Sequence, residues 1–213
     1  VRKSKESIRA AYGKLGHVVE RLLGPQGVEV TTEIIRDENR PDVDLILIID
    51  EGKPYKVGTI TITGDDKTKQ QVILQEVRVT PDGPMDTGAL AETKEGLDNS
   101  RLFERNSVKI SIQPPRADAP ELRDVLIEVK ETNTGSFSVG ASVSSDLGLL
   151  GQVKLSQRNF DITDTPESLR STFNSFRGGG QTASLSLQPG LTNQFFDIGL
   201  AEPHFMETDY SAQ

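Results

Sequence analysis

The sequence predicts an α+β part over residues 1–132, followed by an antiparallel sheet of four strands within Thr134–Phe205. Two observations support this prediction. Apolar and polar residues alternate in four short runs of the second part, whereas helical and strand patterns follow one another in the first part. Because side chains along a strand point alternately to opposite faces, each run has one apolar and one polar face. Either a second sheet or lipid covers the apolar faces.

The alternation is strictest in residues 137–144, where every second residue is Ser or Gly. The same spacing returns in three further runs, at Val153 and Leu155, at Ala183, Leu185 and Leu187, and at Phe196, Ile198 and Leu200. We expect Lys154 and Arg158 to be the only charged side chains in the runs, both on the polar face. A strand that crosses a bilayer spans about 9–11 residues with this alternation. The small, uncharged polar faces therefore favour lipid over soluble packing.

The composition of the 213-residue chain excludes several classes of protein. The sequence has no cysteine, which excludes disulfides and thiolate metal sites. Its net charge of −8 argues against a nucleic-acid-binding surface, so no nucleic acid is expected as a partner. No apolar run approaches the roughly 20 residues that a membrane-spanning helix needs. The chain begins at Val1 without a signal peptide, so we expect it to be part of a longer protein.

Residues 1–53 predict one helix and two strands. Apolar residues at i, i+3, i+4 and i+7 mark an amphipathic helix from residue 4, with Gly16 as its C-terminal cap. Strands are expected at Val28–Arg36 and Val43–Asp50, joined by a polar turn. The second strand is apolar on both faces, as a central strand requires. The resulting sheet is incomplete, and we expect a partner element upstream.

Residues 54–132 predict the order strand, helix, helix, strand, strand. A run of β-branched residues marks the first strand, and a Pro-Asp-Gly-Pro turn separates the two helices. The expected elements are a strand at Val57–Thr63, a helix from Asp65 or Asp66 through Val77, a helix from Asp86 to Asn99, and strands at Ser107–Gln113 and Val125–Glu131.

This order, together with particular residues, resembles a POTRA domain. The matching motifs are Val57-Gly58-Thr59-Ile60 with Gly64, Lys67-Thr68-Lys69, Asp82-Gly83-Pro84, Gly96-Leu97, Leu102-Phe103 and Val108-Lys109-Ile110. Residues 4–51 resemble the second half of a preceding POTRA domain, through Tyr12, Gly16-His17 and Asp50-Glu51-Gly52. Arg101 stands where the family usually has Gly, so we expect the tight turn there to be made differently.

The four amphipathic runs resemble the first strands of BamA-type outer-membrane assembly barrels. The matching motifs are Thr134-Gly135-Ser136-Phe137, Asn159-Phe160 and Glu202-Pro203-His204-Phe205. The resemblance implies α+β POTRA repeats of the order β-α-α-β-β, followed by an incomplete antiparallel transmembrane β-barrel segment of four strands. The implied domains are the C-terminal half of a POTRA domain in residues 1–53, a complete POTRA domain in residues 54–132 and barrel strands in residues 133–213.

The same resemblance implies a fragment of an outer-membrane β-barrel assembly and insertion protein. It would lie in the bacterial outer membrane with its POTRA part in the periplasm, and its partners would be unfolded outer-membrane protein clients, assembly-complex lipoproteins and lipid. Barrel strand one is implied to template client strands by β-augmentation, through Gly135, Ser136, Phe137, Ser138, Val139, Gly140, Ala141, Ser142 and Val143. The POTRA edge strand is expected at Ser107, Val108, Lys109, Ile110, Ser111 and Ile112, with either a binding role or a packing role.

No catalytic residue, metal ligand or cofactor is expected, and an enzyme is the least favoured class. His17 and His204 are the only histidines and lie at opposite ends of the chain, which disfavours a metal site built on a histidine pair. Asp161–Gly180 is expected to form a long periplasmic loop. We interpret its run Arg177-Gly178-Gly179-Gly180 as a flexible hinge, because the strand and helix that flank a phosphate-binding loop are lacking.

Two alternative functions stay open from the sequence. One is a two-partner secretion translocator of the same superfamily, which exports a single substrate. The other is a soluble periplasmic binding module that carries POTRA repeats and a β-sandwich tail.

Overall fold

The computed structural model describes residues 1–20, 24–36, 43–145, 148–165, 175–190 and 193–203. The chain divides into two compact units that are interleaved along the sequence. Unit 1 consists of Val1–Thr63, Val77–Gly96 and Val108–Glu128, and unit 2 consists of Gly64–Glu76, Leu97–Ser107 and Val129–Gln213. Within the described residues, no helix is long and apolar enough to cross a bilayer.

Three helices and twelve strands are described. The helices are α1 (Arg2–Lys14), α2 (Gln70–Leu74) and α3 (Thr87–Asn99). The strands are β1 (His17–Val19), β2 (Gln26–Gly27), β3 (Glu29–Arg36), β4 (Val43–Asp50), β5 (Lys53–Pro54), β6 (Lys56–Thr63), β7 (Lys109–Pro115), β8 (Leu122–Glu128), β9 (Gly135–Ser144), β10 (Gly148–Phe160), β11 (Arg177–Gln188) and β12 (Phe195–Ala201).

Unit 1 contains three small sheets. The first has the order β2-β1-β5, the second is the antiparallel pair β3-β4, and the third has the order β6-β8-β7. In the third sheet, β8 is parallel to β6 and antiparallel to β7. Alternate residues of β8 are fully buried, namely Arg123, Val125 and Ile127. The β-branched and aliphatic residues of these strands therefore supply one buried face, as the period of two predicts.

Backbone contacts around Tyr55 fix the connection between β5 and β6. Its amide donates to the Gly16 carbonyl at 2.9 Å, and its carbonyl accepts from the Met85 amide at 2.9 Å. Gly16 has φ +82°, and a Cβ there would overlap the Tyr55 carbonyl oxygen. Only glycine fits this close approach without strain. Helix α1 ends at Lys14 with Leu15 as its C-cap, so the prediction that Gly16 is the cap is wrong by one residue. Gly16 follows the cap and admits the connecting strand.

A buried arginine packs against the same connection. The Arg123 side chain is 1% exposed, and its guanidinium lies 4.2 Å from the centroid of the Tyr55 ring. It forms an ion pair with Glu20. Burial lowers the pKa of Arg123 from its ordinary value. An arginine stays protonated under such a shift, and here its charge is balanced by the carboxylate and the aromatic face.

Unit 2 contains a four-stranded antiparallel sheet with the order β12-β11-β10-β9. Each strand pairs with its neighbour in sequence, which is the up-and-down order that the four runs predict. The unit also holds α2 and a group of buried apolar side chains, Ile73, Leu97, Leu102, Phe103 and Val129. The sheet therefore shares its unit with residues from the predicted POTRA part.

Several predicted bounds are wrong. The glycine run at residues 178–180 belongs to β11 and does not form a hinge, so the loop after β10 ends at Phe176. The first POTRA helix is much shorter than predicted, at Gln70–Leu74. Strands β1, β2 and β5 are missing from the prediction, because two- and three-residue strands are selected by pairing and carry little pattern. His204 and Phe205 lie outside the described residues.

The turn at Arg101 is made in an unexpected way. Arg101 has φ +59°, which is the left-handed conformation that the family's glycine adopts easily. The prediction of a different turn is therefore wrong: the turn keeps its left-handed residue, and Arg101 adopts that strained conformation. This conformation costs a residue with a Cβ about 1–2 kcal/mol.

We expect Arg101→Gly to leave the free energy of unfolding unchanged or to raise it by up to about 1 kcal/mol. Relief of the backbone strain stabilises the folded state, and the greater entropy of glycine in the unfolded chain offsets part of this gain. Gly64→Ala is the matched opposite, since Gly64 has φ +88° and a Cβ there would overlap the Val129 carbonyl oxygen. It should lower the free energy of unfolding by more than about 1 kcal/mol. Urea denaturation in detergent micelles, followed by circular dichroism, measures both values. An Arg101→Gly protein clearly less stable than wild type would contradict this explanation.

Candidate functional site

Strand β9 lies at the edge of the four-stranded sheet. Within the described residues it pairs only with β10, in a continuous register from Gly135 opposite Gln157 to Ser144 opposite Gly148. All nine residues predicted for strand one, Gly135 to Val143, fall within it. The side of β9 away from β10 carries backbone N–H and C=O groups without a strand partner. The geometry thus provides an open edge, while its predicted pairing role stays a prediction.

One face of this sheet is a continuous apolar surface. The register places Phe137, Leu155, Leu185 and Ile198 in one row across the four strands, and Val139, Val153, Leu187 and Phe196 in the next. Phe137 is 66% exposed, Val139 67% and Phe196 72%. Side chains this apolar and this exposed require a covering layer in the working protein.

The opposite face is polar. One row across it consists of Ser138, Lys154, Ser186 and Asp197. Arg158 lies on the same face, opposite Thr182. The prediction that Lys154 and Arg158 lie on the polar face is confirmed, but Asp197 is a third charged residue that the prediction missed. Asp197 lies in the same row as Lys154, on the same face of the sheet, and carries the opposite charge.

A second edge lies in unit 1, at β7. This strand pairs only with β8 among the described strands, and it contains four of the six predicted edge residues, Lys109 to Ile112. The other two are outside it, which corrects the prediction. The Ser107 amide donates to the Glu104 carbonyl at 3.1 Å, and Val108 is 1% exposed. Neither residue is therefore available for pairing with a peptide.

A set of contacts that the sequence did not reveal joins residues 67–69 to the strands of unit 2. Asn159 Nδ2 donates to Thr68 Oγ1 at 2.8 Å, and both residues are buried. The Lys69 amide donates to the Gly178 carbonyl at 2.9 Å. Lys69 Nζ lies 2.6 Å from Asp161 Oδ2. We call the contacts of residues 67–69 with Glu131, Asn159, Asp161 and Gly178 the anchor.

Glu131, which precedes β9 in the chain, completes the anchor. Its carboxylate accepts hydrogen bonds from the Lys67 amide at 3.0 Å and from the Thr68 amide at 2.6 Å. Both donors lie in the loop that leads into the short helix α2. A carboxylate that accepts backbone N–H groups forms strong, charge-assisted hydrogen bonds.

The glycine run of β11 permits the anchor to form. Gly178 has φ +108°, and a Cβ there would overlap the Lys67 carbonyl oxygen. Gly180 has φ +77°, and a Cβ there would lie 2.8 Å from Val72 Cγ1. The Gly180 amide also donates to Asn159 Oδ1 at 3.0 Å. These glycines therefore serve close packing, which explains why the hinge interpretation fails.

Asp161 is the titratable group of the anchor. Burial alone would raise the pKa of its carboxyl group. Hydrogen bonds from Lys69 and Thr163, and the positive charge of Lys69, outweigh this effect and hold the pKa below its ordinary value. Thr163 contributes both its hydroxyl, at 2.6 Å, and its amide, at 3.0 Å. The carboxylate is therefore ionised and fully engaged near neutral pH.

The described part of the chain holds no group of three or more His, Asp or Glu side chains that could bind a metal ion. His17 stacks edge-on against Tyr12, with 5.2 Å between ring centroids, and its Nδ1 lies 3.1 Å from the Glu51 carbonyl oxygen. Tyr12 donates to Glu51 Oε1 at 2.7 Å. These contacts join His17 and Tyr12 to Glu51.

The comparisons with known proteins address the α+β part first. A family model described as "POTRA: Surface antigen variable number repeat" matches residues 55–132. This match supports the predicted POTRA resemblance of that segment. Its elements run from β6 through α2, α3 and β7 to β8, which is the predicted β-α-α-β-β order.

Curated relatives extend the likeness beyond the POTRA domain. The outer membrane protein assembly factor BamA of Neisseria meningitidis serogroup B is 29% identical over 161 residues, which are 74% of this chain and 20% of the relative. BamA of Nitratidesulfovibrio vulgaris is 26% identical over 128 residues, which are 59% of this chain and 16% of the relative. The chain thus spans about a fifth of these proteins or less.

A solved structure supports the fold. The crystal structure of BamA from Haemophilus ducreyi lacking POTRA domains 1–3 matches with a TM-score of 0.76 and 21% identity, and the match covers 99% of this chain and 34% of that chain. The predicted resemblance to BamA-type assembly factors is confirmed. The predicted localisation, the outer membrane with POTRA domains in the periplasm, is supported by the same relatives. These relatives are named as assembly factors, in agreement with a non-enzymatic function.

Asp161→Asn tests the electrostatic part of the anchor. The folded-state pKa of Asp161 lies below the ordinary value of 3.8, so its stabilising effect is complete above that pH and is lost as the pH falls through the folded-state pKa. We expect the free energy of unfolding of wild type to be about 1–2 kcal/mol higher than that of the variant near neutral pH. This difference should shrink below pH ~4. Urea midpoints in detergent micelles across this pH range measure it. A difference that grows on acidification would contradict the assignment.

Proposed function

We propose that the chain is part of an outer-membrane β-barrel assembly and insertion protein, in which β9 templates client strands. The observation that carries the proposal is the open edge of β9 in a sheet with one apolar and one polar face. The relatives named above are outer membrane protein assembly factors, which supports the same function. The substrates are then unfolded outer-membrane proteins, whose own strands need a partner edge until their barrels close.

The chemistry of β9 suits transient pairing. An edge strand offers main-chain hydrogen bonds that are independent of the client's sequence, which a general assembly factor requires. Its polar face consists of Ser136, Ser138, Gly140 and Ser142, which are small and uncharged. Few bulky groups hold such a strand to a partner, so a paired strand is released readily. Because charges are absent from the apolar rows, the strand also meets lipid without a penalty.

We propose lipid as the layer that covers the apolar face. The strands β9, β10 and β11 have 10, 13 and 12 residues, enough to cross a bilayer when tilted. Lys154, Arg158 and Asp197 lie on the other face, and Arg177 lies at the first residue of β11, opposite Phe160 at the end of β10. An outer-membrane barrel has this division between a lipid side and a lumen side. Four strands do not close a barrel, so the remaining strands would follow in the longer protein.

We propose the domain limits 1–53, 54–132 and 133–213, with the first as the C-terminal half of a POTRA domain. The order α1, β3, β4 repeats that of α3, β7, β8, and both strand pairs are antiparallel. Within the described residues β4 lacks the parallel neighbour that β6 provides for β8. An upstream strand pairing in parallel with β4 would cover exposed apolar residues such as Leu45 and complete the unit.

We propose that the β7 edge of the POTRA domain receives client segments or assembly-complex lipoproteins. The residues that support this role are Lys109, Ile110, Ser111 and Ile112, since they lie in the edge strand itself. Pro114 and Pro115 at the end of β7 lack a backbone N–H, so they limit pairing to the first part of the strand.

A cysteine at Ser138 or Ser142 in the complete protein tests the templating function. Both positions lie on β9, and the sequence given has no other cysteine. We expect disulfide adducts with a client barrel that carries single cysteines in its last strand and is arrested during assembly. Non-reducing gels identify the adducts.

Ser186 is the matched control position. It lies on β11, which is paired on both sides, so a cysteine there has no open edge. We expect adducts at residues 138 and 142 and none at residue 186. If residues 138 and 142 gave no adduct with any client, templating by β9 would be wrong.

A further inference from the structure

We propose that residues 67–69 of the POTRA domain are positioning residues that hold the base of β9 fixed, while the rest of this strand remains movable. The base of β9 is defined as residues 133–136. This inference rests on the proposed function, because a held base sets the register in which an incoming strand pairs. It assigns a role to Thr68 and Lys69, which contact neither client nor lipid in the proposed function.

The first connection runs through the chain that leads into β9. Glu131 accepts the amides of Lys67 and Thr68, and β9 begins at Gly135. The segment between is short and bonded: the Gly135 amide donates to Asn133 Oδ1 at 3.1 Å. Any movement of residues 67–69 is therefore transmitted to the start of β9 over four residues.

The second connection runs through β10. The Arg158 amide donates to the Thr134 carbonyl at 3.0 Å, and Gln157 Nε2 donates to Thr134 Oγ1 at 2.8 Å. The next residue along β10 is Asn159, whose side-chain amide donates to Thr68 Oγ1. Thr134 is thus held by the same strand that is bonded to the POTRA loop. The two connections reach the base of β9 from both sides.

Burial changes abruptly between Thr134, which directly precedes β9, and the strand itself. Thr134 is 8% exposed, Phe137 is 66% exposed and Val143 is 81% exposed. Beyond the base, the strand is bonded to β10 alone among the described residues. A buried, hydrogen-bonded residue such as Thr134 opens less often than exposed residues beside it. The structure therefore divides β9 into a fixed base and a movable remainder.

Thr68 is the sharpest position for a test. It is 2% exposed, and its hydroxyl accepts from the buried Asn159 amide. Thr68→Val keeps the shape of the side chain but removes the acceptor of the Asn159 side-chain amide. Thr68→Ser keeps the hydroxyl. Lys69→Met is a second variant at a half-exposed side chain, and it removes the ion pair with Asp161.

Hydrogen exchange of the full-length protein in lipid nanodiscs, without a client, measures the anchor directly. In wild type we expect residues 131–136 and 157–161 to exchange at least tenfold more slowly than residues 138–143. Thr68→Val and Lys69→Met should raise exchange of the base by about tenfold. Thr68→Ser should keep the slow exchange of wild type. Lys130→Met is the matched control, since Lys130 pairs with Glu104 on the exposed surface of the same unit.

Crosslinking then tests the consequence for register. With cysteine at Ser138, we expect wild type and Thr68→Ser to link one client position, and Thr68→Val to link positions two residues apart as well, because strand register shifts in steps that keep the faces. If the base exchanges as fast as residues 138–143 in wild type, or if Thr68→Val and Lys69→Met leave its exchange unchanged, the anchor has no positioning role. Absent adducts combined with a protected base would overturn templating and leave the anchor intact.

Discussion

The edge of β9, which has no second strand partner among the described residues, is the constraint on which the rest of unit 2 depends. Backbone N–H and C=O groups cannot stay without partners in an apolar layer, so a strand placed beside lipid must pair with another strand. The apolar face of the sheet, with exposed Phe137 and Val139, is the face that we propose lipid covers. An open edge in lipid is therefore reactive toward other strands. This reactivity is a hazard in most proteins and a suitable property for an assembly factor.

Unit 2 resolves the conflict between an open edge and a stable fold by fixing one end. Buried polar groups such as Thr68 and Asn159 are costly when unpaired, so they enforce one arrangement of the strands that they join. Glu131 and Asp161 add charge-assisted hydrogen bonds to the same loop. Ordering is thereby concentrated where the POTRA loop contacts the sheet. In the proposed function, the strand edge beyond it is the part that exchanges partners.

Local patterns predicted the elements that rest on periodicity. The bounds of β4 were predicted to the residue, and β9 contains all of the predicted strand one, because alternation and β-branched runs are local properties. The strands β1 and β5 were not predicted, since pairing with each other defines them. The shortened helix α2 shows the same limit, as its length is set by contacts of the preceding loop.

The anchor could not be predicted from the sequence. Lys69 and Asp161 are far apart in the chain, and nothing in their local pattern distinguishes them from surface charges. Asn159 belongs to one of the motifs that carry the resemblance, but its bond to Thr68 depends on tertiary packing. Arg101 gave a partial signal, because its position in the motif pointed to a special turn while its side chain concealed the left-handed backbone.

Contacts hold together the two ends of the loop after β10, which we call its root. Phe160 and Phe176 stack with 5.7 Å between ring centroids, and the Asp161 amide donates to the Phe176 carbonyl at 3.0 Å. The root thus fixes the spacing of β10 and β11 regardless of how much chain connects them, and loop-closure entropy rises only slowly with length. Residues between Thr165 and Ser175 are therefore a suitable place to insert an affinity tag or a fluorophore site. We expect such an insertion to leave the pairing of β10 and β11 unchanged.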